Sequence, residues 1–126
     1  MPSAAATQLP AALTSARAAR AFIRDSLGSL VDPDVLDTVE LLTSEVVTNA
    51  LLHAGAAPVV ALTRPGGRIR VSVEDSSTHW PVRRNVAPTA IAGRGVALVD
   101  ALASSWGVEL LPGAGKRVWF EVSDLH

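Results

Sequence analysis

The stretch ELLTSEVVTNALLHA, residues 40–54, has the spacing of a helix but not the composition of a plain core helix. At about 100° per residue, Glu45 and Asn49 fall roughly 40° apart on one face. Leu41 and Leu52 flank them on one side and Leu42 on the other, while Asp37, Ser44 and Thr48 mark the face that reads as solvated. Glu45 and Asn49 are therefore expected to look toward something apolar or enclosed, where a carboxylate and an amide need partners. The competing reading is an ordinary surface pair, and the stretch alone does not separate the two. His53 continues the same face by one turn, where a histidine near a helix C-terminus suits the dipole.

Working outward, Asp32-Pro33 opens this helix, with Asp32 as N-cap and Pro33 in the first turn, and Gly55 closes it. Upstream, Leu13, Ala16, Ala19, Ile23 and Leu27 recur at helical spacing before Gly28, which predicts a first helix over 13–27. Residues 1 to about 9 read as a frayed leader. Downstream, VVALT at 59–63 reads as a strand and Arg64-Pro65-Gly66-Gly67 as a tight turn. RIRVSVED then alternates, with Ile69, Val71 and Val73 on one face and Arg68, Arg70, Ser72 and Glu74 on the other. Residues 76–92 carry no sustained period and two prolines, the pattern of a lid or binding loop. A short helix follows, with Val96, Val99 and Ala103 on one stripe. Two closing strands, WGVELL and KRVWFEV, are joined through Pro112-Gly113-Ala114-Gly115. Paired strands with helices to cover them predict an α+β fold, a two-layer sandwich.

The 126 residues suffice for one domain with a sizeable core. A net charge of -1 argues against a general electrostatic grip on nucleic acid or an acidic membrane surface. There is no cysteine, which excludes disulfides, thiol catalysis and cysteine-ligated metals. No apolar run approaches a membrane span. The opening MPSAAATQLPAALTSARAAR lacks a basic n-region and a continuous apolar h-region, so a cytoplasmic protein is the expectation.

Two further places can carry chemistry. Asp75 follows Val73 by two, so it holds the inward phase at the end of its strand, beside the lid. It is either a turn-starting aspartate or an acceptor carboxylate on a pocket floor. Gly93-Arg94-Gly95 leads into a helix, where backbone N–H groups and the dipole favour a phosphate. The dinucleotide fingerprint fails, because Leu98 stands where the third glycine belongs. GAGKR at 113–117 is not a P-loop, because the upstream glycine is missing and Arg117 replaces the Ser or Thr.

In this fixed order the segments resemble the GHKL, or Bergerat-fold, ATPases, over about residues 13–122. ELLTSEVVTNALLHA matches the N box, VSVEDSS the first glycine box, GRGVALVDALASSWGV the second and GAGKRVWFEV the last. Within that superfamily the chain looks most like the bacterial anti-sigma-factor serine/threonine kinases and their histidine-kinase-like ATP-binding relatives. The resemblance implies one ATP-binding domain over 1–126, with a lid at about 76–94. Its mostly antiparallel mixed sheet would be covered on one face by about three helices. It implies ATP and Mg²⁺ as cofactors, Glu45 as the catalytic base and Asn49 as the Mg²⁺ ligand. Asp75 would accept from the adenine amino group. Gly93, Arg94, Gly95 and Val96 would line the phosphates, with lid Arg83 and Arg84 as further phosphate contacts.

The chain departs from the family pattern at two places. The family's D-x-G-x-G is replaced by Asp75-Ser76-Ser77-Thr78-His79, and Lys116 and Arg117 stand near the position where a Thr or Ser commonly helps hold adenine. The implied function is phosphoryl transfer to a serine or threonine on an antagonist protein, in a pathway where a sigma factor is the other partner. The resemblance also raises a homodimer as an expectation, since relatives of this type are often dimers. The alternatives are a catalytically inactive nucleotide-binding interaction module, a detached histidine-kinase catalytic domain, and a small α+β domain that binds no nucleotide. No phosphoacceptor helix precedes the N box, which weighs against the histidine-kinase alternative.

Overall fold

In the computed structural model the described residues are 4–9, 14–54, 58–75, 98–112 and 115–123; of residues 52–54 only the backbone is described. The elements are β1 (Ala4–Gln8), α1 (Ser15–Leu27), α2 (Pro33–Ala54), β2 (Val59–Thr63), β3 (Arg68–Asp75), a helix α3 described over 98–102, β4 (Ser105–Leu110) and β5 (Lys116–Ser123). The five strands form one sheet in the order β1-β2-β3-β5-β4, with every pairing antiparallel. The expected α+β sandwich is what forms, with an antiparallel rather than a mixed sheet among the described residues.

The helices form where the sequence places their stripes and caps. Ala19, Ile23 and Leu27 are buried along one side of α1, and the Gly28 N–H caps the Arg24 carbonyl. Asp32 Oδ1 accepts from the Asp34 backbone N–H at 2.8 Å, which is the N-cap expected before Pro33. Val39, Leu42, Val46, Val47 and Ala50 make the buried ridge of α2, which lies against α1 on one side and β3 and β5 on the other. Arg24 bridges the two helices by donating from Nε and Nη2 to the two carboxylate oxygens of Glu40, at 3.1 and 2.8 Å.

Alternation sorts the sheet into two faces. Ile69, Val71 and Val73 of β3 stand opposite Val122, Phe120 and Val118 of β5, and this layer meets Val60 and Leu62 of β2 in the core. The turn between β2 and β3 needs its glycines, since Gly66 and Gly67 hold φ of 56° and 80°. The other face is polar and internally neutralised. Arg70 donates to Glu121 at 2.9 Å and lies 4.1 Å from the Trp119 ring centroid; Arg117 donates to Glu74 at 2.8 Å and to Glu109 at 3.0 Å. The hydrogen bonds it donates to Glu74, then to Glu109, hold the Arg117 guanidinium above its ordinary pKa.

Trp119 lies across Gly107 of β4, its partner in the register. A Cβ on Gly107 would stand 2.9 Å from Trp119 Nε1, so the indole must leave its place and the Arg70 stack with it. Gly107→Ala is accordingly expected to destabilise the fold by about 1–3 kcal/mol, read as a lower midpoint in urea.

Three expectations are corrected. Residues 4–8 are a paired edge strand and not part of a frayed leader: Ala4 to Gln8 pair with Thr63 to Val59, and Leu9 is buried behind them. Ser44 is not solvated; it is buried, with Oγ donating to the Leu41 carbonyl at 2.9 Å. Leu41, expected to help enclose the polar pair, is 41% exposed.

Candidate functional site

The strand register fixes one of the expected side chains, Asp75, at an end of the sheet, and α2 carries two more. Val59 pairs with Glu74, so β2 begins where β3 ends. The step from Ala54, the last residue of α2, to Val59 is five residues, at most about 18 Å when extended. Ala54 therefore lies within that reach of the sheet end that carries Asp75. Glu45 stands only about 13 Å along the helix axis from Ala54, and Asn49 stands one turn nearer.

On α2, Leu41, Glu45 and Asn49 form one row at four-residue spacing, beside the buried ridge. Glu45 and Asn49 are half-buried, between buried Ser44, Val46, Val47 and Ala50. They lie at the margin of the core, neither sealed in it nor out in bulk water. Such a place leaves a carboxylate and an amide reachable while their surroundings restrict water.

Asp75 holds the inward phase at the end of β3, as alternation predicted, and is 5% exposed. Directly across the register stands Lys116, the first residue of β5, whose Nζ donates to Asp75 Oδ2 at 2.6 Å. Both side chains are almost wholly buried. Sequence reasoning named Lys116 as a departure from the family pattern but did not pair it with Asp75. The signal was present: KRVWFEV alternates, which puts Lys116 in phase with Val118, Phe120 and Val122, on the face that meets Asp75.

The remaining expected residues, Gly93, Arg94, Gly95 and Val96 with the lid residues Arg83 and Arg84, lie outside the described residues, as does the His53 side chain. Among the described residues no cluster of three or more His, Asp or Glu is gathered to hold a metal, and no helix is long and apolar enough to cross a membrane. A groove of about 300 Å³ is lined by Arg70, Ser72, Glu74, Glu109 and Arg117 among others. It opens on the polar face, away from Asp75, and its charges already neutralise one another.

Residues 9–122 match the histidine kinase-like ATPase domain, and the chain belongs to that family. ATP binding comes with that membership. Among solved structures, the RsbU and RsbW domains of Rv1364c from Mycobacterium tuberculosis superpose with a TM-score of 0.72 at 23% identity, over 95% of this chain and 32% of that one. The blue-light activated histidine kinase EL346 of Erythrobacter litoralis gives a TM-score of 0.60 at 26% identity, over 86% of this chain and 40% of that one. The chain thus spans about a third of the first protein and two-fifths of the second. No curated protein matches the sequence.

Proposed function

We propose that this chain is an ATP-binding regulator of the anti-sigma-factor kinase type, which binds a sigma factor and phosphorylates a serine or threonine on an antagonist protein in the cytoplasm. The observation that carries the reading is the burial of three polar groups: Asp75 is a buried carboxylate at the end of β3, and Glu45 and Asn49 form a half-buried row on α2. Family membership and the fold shared with a chain containing an RsbW domain support it.

The donor set fits Mg·ATP. An acceptor carboxylate suits an exocyclic amino group, and Asn49 offers an amide oxygen to a hard cation that takes its other ligands from phosphates and water. Mg²⁺ supplies charge neutralisation across the phosphates. In this reading Glu45 accepts the proton of the attacking hydroxyl, one helical turn from the Asn49 amide. Asp75 fixes the base, and Gly93, Arg94, Gly95 and Val96 hold the phosphates.

Glu45→Ala is expected to lower transfer of labelled γ-phosphate to an antagonist-type protein by about 10²–10⁴-fold, with nucleotide affinity unchanged. Transfer at the parental rate would remove Glu45 as the base. If ATP binds and no antagonist-type protein accepts phosphate, the nucleotide-binding interaction module is the reading that stands.

A further inference from the structure

Lys116 is the unusual feature of the base site. The described inward face of β5 is otherwise Val118, Phe120 and Val122, yet it begins with an ammonium that is 3% exposed. A lysine ammonium has three N–H donors, and one of them is committed to Asp75 Oδ2 at 2.6 Å. The two residues therefore set a donor and an acceptor side by side at the end of β3 and β5.

That pairing changes which bases fit. An ionised carboxylate alone only accepts, so it suits the amino group of a 6-aminopurine and opposes the keto oxygen of a 6-oxopurine, lone pair against lone pair. With an ammonium beside it, a keto oxygen finds a donor and the neighbouring ring N–H finds the carboxylate. A 6-aminopurine still finds its acceptor in Asp75. We propose that Lys116 is a specificity-determining residue that opens this base site to 6-oxopurine nucleotides, so that GTP binds alongside ATP. The proposal rests on the reading of Asp75 as the base-contacting carboxylate.

The test is equilibrium titration of the full chain with Mg·ATP and Mg·GTP, for the parent, Lys116→Met and Lys116→Gln, each first shown to melt cooperatively. The parent is expected to bind the two nucleotides within about tenfold of each other. Lys116→Met, which strands the keto oxygen, is expected to lose about 10–100-fold in GTP affinity and much less in ATP affinity. Lys116→Gln, which keeps an N–H donor, should retain GTP binding better than Lys116→Met. A parent that binds ATP and rejects GTP by more than about a hundredfold overturns the role of Lys116 and leaves that of Asp75 standing. So does an equal loss of both nucleotides in Lys116→Met. A parent that binds neither nucleotide overturns the reading of Asp75, and this proposal with it.

Discussion

Asp75→Ala is expected to lower stability by about 3–5 kcal/mol, because it strands the Lys116 ammonium in a place where that residue is 3% exposed. Removing one member of a buried ion pair leaves a charge whose hydration has already been given up. The effect is measured as the shift in urea midpoint at constant slope. The double variant Asp75→Leu with Lys116→Met separates the two contributions of the pair. Apolar replacement of both members of a buried pair is often neutral or stabilising, so this variant is expected to regain most of the loss. If the double variant is as unstable as Asp75→Ala, then the polar interaction itself holds the ends of β3 and β5 together.

Phe120→Ala is the second large effect. Phe120 is fully buried at the middle of β5, opposite Val71 of β3 and Trp106 of β4. It is thus the side chain through which three strands share one core layer. Truncation removes its transfer free energy and leaves a cavity that paired strands on both sides cannot close. A loss of about 3–5 kcal/mol is expected, corresponding to a melting temperature lower by roughly 10–20 °C. Calorimetry reads it directly. A loss below about 1 kcal/mol would mean that the layer around Phe120 repacks to fill the space.

What the sequence made legible follows where periodicity and burial agree. RIRVSVED alternates so regularly that its inward set, Ile69, Val71, Val73 and Asp75, is the buried set of β3, and the Asp32 cap and the Gly66-Gly67 turn are written in residue types with few other uses. Ala4–Gln8 is different. AAATQ has no alternation and little β propensity, and it becomes a strand because the edge of β2 offers a row of backbone partners and Leu9 seals the end.

Ser44 and Leu41 show the limit of an ideal wheel. Ser44 turns its hydroxyl back onto the Leu41 carbonyl, so it enters the buried side without an unmet donor, and Leu41 is left on the exposed edge of the Glu45–Asn49 row. In the site, the end position of Asp75 was legible from strand phase. The partnership with Lys116 joins residues 41 apart in sequence, and it depends on the β3–β5 register, which no local pattern states. The glycine segment 93–95 was legible as a GxG before a helix and lies outside the described residues.

The central claim is that the end of the sheet marked by Asp75 binds ATP. Calorimetric titration of the parent and of Asp75→Asn with Mg·ATP tests it most directly. Asp75→Asn keeps the shape and one acceptor oxygen, and both proteins would first be shown to be folded. The account predicts saturable binding to the parent and an affinity at least about tenfold weaker in Asp75→Asn, which has traded a charged acceptor for a neutral amide. No binding to the parent, or equal affinity in the two proteins, would contradict it.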